Sequence, residues 1–392
     1  MINASWPQWR GPLRDGHCDQ FAQPAAFPLK QIWETFSQGK PVGGIAGTED
    51  RIYQADRDFL DQFDRFACYD ASNGSLIWQQ IVPGMGMLDY GNSSRATPLL
   101  RENQVLFQSA FGIIASYDAK VGTPLWQTNV ISLYGSGREL VWGLCSSPLL
   151  ANGQLIFNPG GKKSSLVALT PDSGNLVWQT PGQDYGYGSL VSAQINGQEV
   201  VIGHDKTTLG AWDARSGKRL WTIKPQEPED FNVPTPIVQG SQIIVATENN
   251  GCRVYQWPGE GESEPRLLGQ QQELCPETTS PISTQDSVFG VANGTLYCLS
   301  LPELQIRWQF DDPCLSEHAC LVTDGQHLGV FADGELLLFA AEGKHREPLA
   351  RQLLFEQRTP QYAHPAIMGN RLYISGGNLL RCYELWPEPA EE

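Results

Sequence analysis

The stretch YDASNGSLIWQQ at residues 69–80 decides how this chain folds, because later stretches repeat its plan. They are YDAKVGTPLWQT at 117–128, LTPDSGNLVWQT at 169–180 and WDARSGKRLWTI at 212–223. A weaker copy, LSLPELQIRWQF at 299–310, keeps the tryptophan but has leucine in place of the glycine. Repetition at a fixed period indicates an array of similar structural units.

Each position of the motif has a physical role. An acidic or polar residue hydrogen-bonds the turn backbone, and a glycine four positions later adopts the positive φ of a tight hairpin. A tryptophan eight positions after the first residue lies on the next strand, where we expect its indole to pack between neighbouring sheets. The residues assigned to these roles are Asp70, Gly74, Trp78, Asp118, Gly122, Trp126, Gly174, Trp178, Asp213, Gly217, Trp221 and Trp308.

A second recurring element, a strand, a tight turn and a strand, precedes each motif. Examples are TPLLRENQVLFQS at 97–109 and SPLLANGQLIFNP at 147–159. Aligned on the turn, its copies lie about 46 residues apart on average, which is typical of a propeller blade. The equivalent positions are Ile45, Pro98, Pro148, Ser192, Pro236, Pro281, Cys320 and Pro365. The sequence therefore predicts an all-β fold, an eight-bladed β-propeller of four-stranded antiparallel blades.

The two ends of the chain are expected to share the last blade. After Pro365 there is room for only three strands, and LKQIWETF at 29–36 carries Trp33 at the tryptophan position of the motif. An N-terminal strand would thus close the last blade and remove an exposed sheet edge. We expect residues 1–28 to form a non-repeating arm across one surface, 29–387 to form a single propeller domain, and 388–392 to form a disordered tail.

The repeats also assign two faces. If the strands of each blade are labelled A to D from the axis outward, the A–B and C–D turns are short and lie on one face. The B–C and D–A connections are long and varied, and they lie on the other face, which we call the connection face. Variable loops on a rigid scaffold usually carry function. We expect any site to lie there.

The composition limits which classes of partner and which cellular compartment we expect. The net charge is −16, and no Lys/Arg cluster is longer than Lys162-Lys163, so nucleic acid and anionic membranes are poor partners. The sequence contains no apolar run of membrane-spanning length and no apolar signal-peptide segment at its start. We expect a cytoplasmic protein, or an exported one if a leader has been removed, and a monomer. Cys68, Cys298 and Cys382 occupy matching repeat positions and are expected to be small buried residues.

The motif in WDARSGKRLW and YDASNGSLIW resembles the tryptophan-docking repeats of pyrroloquinoline-quinone (PQQ)-like propellers, the quinoprotein alcohol dehydrogenase-like family. The opening WPQWRGPLRDG is similar to the arm before the first blade in such proteins. That superfamily includes quinoprotein dehydrogenases and a propeller lipoprotein of outer-membrane β-barrel assembly. The resemblance implies the fold, whereas motif residues that lock blades together do not define an activity.

Three functions remain open at this point. The first is a non-catalytic scaffold that binds a protein partner through an aromatic, acidic face and needs no cofactor. The second is an oxidoreductase acting on alcohols or sugars with PQQ and calcium, as the resemblance implies, although this chain lacks the vicinal Cys-Cys pair of those enzymes. The third is a hydrolase or lyase on the same face, for which no nucleophile motif is present.

The candidate binding residues all lie in or near the long connections. Arg95 would hold a carboxylate or phosphate, or would pair with its own acidic loop near Asp89. Aromatic side chains on glycine-rich loops make good contact residues, or pack the loops together. The histidines and the glutamate lack the spacing of metal ligands, so no metal site is predicted. The remaining candidates are Tyr90, Tyr134, Trp142, Tyr185, Tyr187, His204, Glu248, His318 and His364.

Overall fold

Eight four-stranded antiparallel sheets make up the protein. The computed structural model describes residues 5–21, 27–137, 140–342, 344–356 and 358–385, so the expected tail at 388–392 lies outside the described residues. Within these residues the predicted eight-bladed propeller is confirmed. The only described helical segments are α1 (Val130–Tyr134) and a single 3₁₀ turn (Pro313–Ser316).

Seven blades are built from consecutive strands in the order A to D. Blades 1 to 4 contain β2 (Ala46–Gly47), β3 (Arg51–Arg57), β4 (Phe63–Asp70), β5 (Leu76–Pro83), β6 (Leu99–Arg101), β7 (Gln104–Gln108), β8 (Ile113–Asp118), β9 (Pro124–Asn129), β10 (Leu149–Ala151), β11 (Gln154–Phe157), β12 (Leu166–Leu169), β13 (Leu176–Thr180), β14 (Val191–Ile195), β15 (Gln198–His204), β16 (Leu209–Asp213) and β17 (Arg219–Ile223).

Blades 5 to 7 follow the same plan. They contain β18 (Ile237–Gln239), β19 (Gln242–Thr247), β20 (Gly251–Gln256), β21 (Arg266–Gln271), β22 (Ile282–Ser283), β23 (Ser287–Ala292), β24 (Thr295–Ser300), β25 (Ile306–Asp311), β26 (Ala319–Thr323), β27 (His327–Ala332), β28 (Glu335–Ala340) and β29 (Ala350–Leu353). In every blade strands B and C are buried on both faces, whereas the outermost strand D is partly exposed. The core is therefore a ring of inter-blade layers rather than one central mass.

Blade 8 joins the two ends of the chain. Its strands are β30 (Ala366–Met368), β31 (Arg371–Gly376), β32 (Leu379–Glu384) and the N-terminal β1 (Lys30–Phe36). Strand β1 runs antiparallel to β32 with Lys30 opposite Glu384 and Phe36 opposite Leu379. The predicted closure of the last blade by an N-terminal strand is confirmed.

The repeated tryptophan packs its blade against the next one in the copies that keep the motif. The Trp78 indole lies on Gly122 of blade 2, where an added Cβ would be 2.6 Å from the ring, and its Nε1 donates to Ala119 O at 3.1 Å. Trp33 makes the same contact with blade 1, where its Nε1 donates to Ala71 O at 3.0 Å. The expected packing of the indole between sheets is confirmed. The glycine is needed for the close approach of the ring as well as for its positive φ of 73°.

The later copies of the motif retain burial but lose the hydrogen bond. Trp221 and Trp308 are buried, yet the Nε1 of each has no hydrogen-bond partner among the described residues. Leu304, which replaces the motif glycine, also has a positive φ, 57°. The expected burial of the three repeat cysteines is confirmed, since Cys68, Cys298 and Cys382 lie opposite Trp78, Trp308 and Trp33 in the strand register. A small side chain at this position leaves room for the indole.

The described part of the N-terminal arm lies inside the ring, not across one surface as expected. Residues 6–18 contact the inner end of every blade. The contacts join Trp6 to Gly47, Pro7 to Leu100, Arg14 to Ser147, Pro148 and Leu190, Trp9 to Thr235, Arg10 to Pro281, Gly16 and Cys18 to Thr323, and Trp6 and Trp9 to His364. Innermost strands leave backbone groups unpaired at the axis, and a polar, glycine-containing segment can satisfy them.

Two buried arginines fasten this arm. Arg14 is 2% exposed and donates to Leu190 O at 2.9 Å, Pro148 O at 2.8 Å and Ser147 O at 3.1 Å. Arg10 donates to Pro281 O at 2.6 Å. Burial lowers the pKa of Arg14 to about 9 and that of Arg10 to about 10. Both guanidinium groups are bound by backbone carbonyls rather than by carboxylates.

Candidate functional site

The D–A connections of all eight blades surround a cavity of about 380 Å³ on the axis of the connection face. We call this cavity the funnel. It falls in the size range of about 300–1,000 Å³ that is typical of ligand pockets. Its lining includes Trp9, Tyr90, Arg95, Trp142, Tyr187, Glu277, Glu317, His318 and Tyr362.

Trp9 of the arm lines the funnel. Its Nε1 donates to Thr235 Oγ1 at 3.0 Å, and its indole meets the edge of the His364 ring at 5.3 Å between ring centroids. Arg10, Gly11 and Arg14 of the same arm are buried. The arm therefore forms the floor of the funnel.

One wall of the funnel is aromatic and joins three connections. The Trp142 ring lies 4.7 Å from Tyr187 and 4.6 Å from Phe231. Tyr185 packs behind Tyr187 at 5.4 Å and is buried. The aromatic residues predicted on neighbouring loops, Trp142, Tyr185 and Tyr187, are thus brought together. They pack the loops on one another, and Trp142 and Tyr187 also face the cavity.

The opposite wall is formed by Tyr90, Tyr362 and His318. Tyr90 meets Tyr362 at 5.6 Å, and His318 stacks on the same ring at 6.0 Å. His318 Nδ1 lies 3.0 Å from Thr278 Oγ1, and burial lowers its pKa to about 4. Lys40 places its Nζ 5.0 Å from the centroid of the Tyr362 ring. This wall therefore presents aromatic faces beside a neutral imidazole.

Arg95 lines the funnel but is bound by its own loop. Its guanidinium donates to Gly91 O at 2.5 Å and to Asp89 O at 2.6 Å, and it also contacts Ser93 O. Burial lowers its pKa. The geometry matches the loop-bracing alternative, except that Arg95 uses the backbone carbonyl of Asp89 instead of the carboxylate. Its donors are largely occupied within the loop.

Carboxylates gather on the side of the funnel that blades 5 to 7 form. Glu277 and Glu317 line the cavity. Glu248 accepts a hydrogen bond from Phe231 N at 3.1 Å. The pKa of Glu248 is raised to about 7, first by burial and then by the like charges of Asp230 and Glu277. This side of the funnel carries negative charge.

Five of the predicted residues do not line the cavity, namely Tyr134, Tyr185, His204, Glu248 and His364. Tyr134 ends α1 and packs against the core between blades 2 and 3. His204 is buried beside Arg253, and His364 is buried under the arm. Burial lowers the pKa of His204 and of His364 to about 3. These two histidines are neutral parts of the fold at neutral pH.

Sequence reasoning missed five side chains of the site, namely Trp9, Phe231, Glu277, Glu317 and Tyr362. Phe231 and Tyr362 stand in D–A connections, so a search of every such connection for aromatic residues would have found them. Trp9 belongs to a segment with no repeat, and its place at the axis carries no periodic signal.

An exposed apolar rim adjoins the funnel at blades 1 and 2. Phe59 and Leu60 in a B–C connection are 82% and 74% exposed, and Met85 and Met87 in the next D–A connection are 75% and 96% exposed. The two connections are joined by a hydrogen bond from Asn92 Nδ2 to Asp61 Oδ2 at 2.6 Å. We call these four side chains the rim. Adjacent exposed apolar side chains are typical of a contact surface.

A calcium-bound quinone would need oxygen ligands grouped in the funnel. Calcium takes six to eight oxygen ligands. Among the residues that the structure describes, no three His, Cys, Asp or Glu side chains are grouped so that they could hold a metal ion. We therefore derive no chemical step through PQQ.

The ring of eight blades, its tryptophan docking and its axial funnel define a PQQ-like β-propeller. The chain belongs to the PQQ-like family whose model is described as "Outer membrane protein assembly factor BamB", which matches residues 30–134 and 138–310. A protein of that name from Moranella endobia (strain PCIT) is 23% identical over 285 residues, which are 68% of this chain and 65% of that protein. The chain thus spans just under two thirds of that relative.

Solved structures show the same fold. BamB from Moraxella catarrhalis has a TM-score of 0.63 at 16% identity, with 91% of this chain and 99% of that chain covered. Quinohemoprotein alcohol dehydrogenase from Comamonas testosteroni has a TM-score of 0.69 at 12% identity, with 99% and 82% covered. At these identities the likeness establishes the fold alone.

In the described residues, no helix has the length and apolar character needed to cross a membrane.

Proposed function

We propose that this protein is a non-catalytic scaffold that binds a partner protein through its connection face. The observation that carries the proposal is the exposed rim of Phe59, Leu60, Met85 and Met87 beside the aromatic funnel. Exposed methionine and aromatic side chains adapt to a partner surface. Because the blades that hold them are rigid, little conformational entropy is lost on binding. The matching family description, an outer membrane protein assembly factor, supports the same proposal.

The charge of the chain defines the kind of partner. A net charge of −16 disfavours nucleic acid and favours a protein with a basic or neutral surface. We propose that the scaffold is a monomer that presents one connection face to one partner.

Photo-crosslinking tests this proposal. A benzoyl-phenylalanine at Met87 should crosslink one recurring protein in a lysate of the source organism. The same group at Val121, an exposed residue in a C–D turn on the opposite face, is the matched control and should not. The captured protein is then purified for a binding measurement.

The binding measurement decides the outcome. With the purified partner, Phe59→Ser combined with Met87→Ser should weaken binding at least about tenfold, since the anchors of an interface carry most of its binding energy. The melting temperature should hardly change because both side chains are exposed. Equal affinity of the parent and the double variant would show that the rim does not bind the partner.

A further inference from the structure

The funnel combines aromatic side chains with carboxylates that form no ion pair among the described residues. Glu277 and Glu317 line it. Within the described part of the chain neither residue forms an ion pair. The Tyr362 hydroxyl donates to Glu317 Oε2 at 3.2 Å, and the pKa of Tyr362 is raised to about 12 by burial and then by Glu317.

One cation of the chain itself lies against this wall. The Lys40 ammonium lies over the Tyr362 ring at 5.0 Å, which is within the distance of a cation–π interaction. On the other side of the funnel, the Trp142 and Tyr187 rings offer further faces. A positively charged group entering the funnel would therefore meet the aromatic wall of Trp142 and Tyr187 as well as the carboxylates of Glu277 and Glu317.

Arg95 does not neutralise the carboxylates of the funnel. Its guanidinium is bound to the carbonyls of Asp89 and Gly91. No carboxylate of the funnel lies within ion-pair distance of it in the described structure. An anionic ligand would gain little from Arg95, whose donors are already in use, and would be repelled by Glu277 and Glu317.

We propose that the funnel binds an arginine side chain of the partner protein, with Glu277 and Glu317 holding the guanidinium and the aromatic walls stacking on it. This inference rests on the proposed scaffold function and names the anchor of the partner. Arginine suits the site better than lysine because its planar guanidinium can stack on an aromatic ring and donate to a carboxylate at the same time. The cavity of about 380 Å³ is large enough for one long side chain.

A peptide pair tests the inference. The probes are acetyl-Gly-Ser-Arg-Ser-Gly-amide and the same peptide with citrulline, which has nearly the shape of arginine but no charge. Calorimetry on the full chain should show saturable binding of the arginine peptide and at least about tenfold weaker binding of the citrulline peptide. Equal binding of the two peptides, or no binding of the arginine peptide up to about 10 mM, would overturn the inference.

Variants locate the binding. Glu277→Gln should weaken the arginine peptide at least about tenfold, since removal of one partner of a charge pair costs roughly 1.4 kcal/mol or more. Glu303→Gln, an exposed glutamate in a C–D turn on the opposite face, is the matched control and should leave the affinity unchanged. If both variants bind like the parent, the peptide lies outside the funnel and the inference is wrong.

The outcomes separate this inference from the scaffold proposal. If the partner captured at Met87 binds the Glu277→Gln variant as tightly as the parent, the arginine anchor is wrong and the scaffold stands. If the arginine peptide binds in the funnel but crosslinking at Met87 gives no specific partner, the scaffold proposal fails while the pocket remains.

Discussion

Pairs of residues, one from each of two neighbouring blades, join the blades of this protein. A tryptophan on the outer strand of one blade lies on a glycine of the next, and its Nε1 donates to a backbone carbonyl beside that glycine. Trp78 on Gly122 and Trp178 on Gly217 are two examples, where an added Cβ would be 2.6 Å and 2.4 Å from the ring. The glycine is therefore required by its neighbour as well as by its own backbone.

Replacing Gly122 with alanine separates these two requirements. The left-handed backbone, with φ of 73°, should cost about 1 kcal/mol, and the clash with the Trp78 ring should add about 1–3 kcal/mol. Gly153→Ala is the matched control, since Gly153 has φ of 69° but nothing within 4 Å of an added Cβ. Urea denaturation measures both variants. Equal losses would show that the indole readily moves aside.

The N-terminal arm acts as a separate structural element inside the ring. Its buried arginines bind carbonyls at the inner ends of several blades, and its Trp9 closes the funnel. Hydrogen bonds from a charged group contribute about 1.5–3 kcal/mol each when their loss leaves partners unsatisfied. The arm therefore stabilises the ring from the axis while strand β1 stabilises it from the outer edge.

Arg14→Met tests the contribution of the arm. The variant keeps much of the side-chain volume but leaves Ser147 O, Pro148 O and Leu190 O without their donor. The free energy of unfolding should fall by about 3 kcal/mol. Arg215→Met, at an exposed turn position, should change it by no more than about 0.5 kcal/mol. A loss in Arg14→Met as small as in the control would mean that water replaces the guanidinium.

At the scale of the whole molecule, closure of the ring depends on the pairing of β1 with β32. Lys30 lies opposite Glu384 there, and Arg381 Nη2 binds Glu34 Oε2 at 2.9 Å. These contacts join segments from the two ends of the chain, so their formation closes a loop that contains nearly all of the propeller. When the unfolded chain folds, bringing these two distant segments together costs a large amount of conformational entropy.

A disulfide across this pairing should therefore stabilise the protein more than one within a blade. Lys30→Cys with Glu384→Cys should raise the free energy of unfolding by about 6 kcal/mol in the chain-entropy description, because the closed loop holds nearly the whole chain. Gln256→Cys with Arg266→Cys joins partners of one hairpin, β20 and β21, and should add about 3 kcal/mol or less. Denaturation with and without reductant measures each gain. An equal or smaller gain at the ring closure would contradict the prediction.

The sequence alone was sufficient for the periodic part of the structure. The Asp-Gly-Trp motif and the aligned turns predicted eight blades, the shared last blade and the docking role of the tryptophans. They could do so because each repeat encodes the same turn and the same strand packing. Trp33 revealed the ring closure in the same way, since it occupies a motif position outside the consecutive repeats.

The site depended on the assembled ring. Tyr90, Trp142, Tyr187 and His318 were predicted and do line the funnel, whereas Tyr134, His204 and His364 do not. The place of the arm, the role of Trp9 and the presence of both Glu277 and Glu317 in the funnel follow from how eight connections converge on one axis. The repeats reveal the strands and turns that all blades share. The funnel is lined by the D–A connections, which differ from blade to blade, so its geometry exists only once the ring has closed.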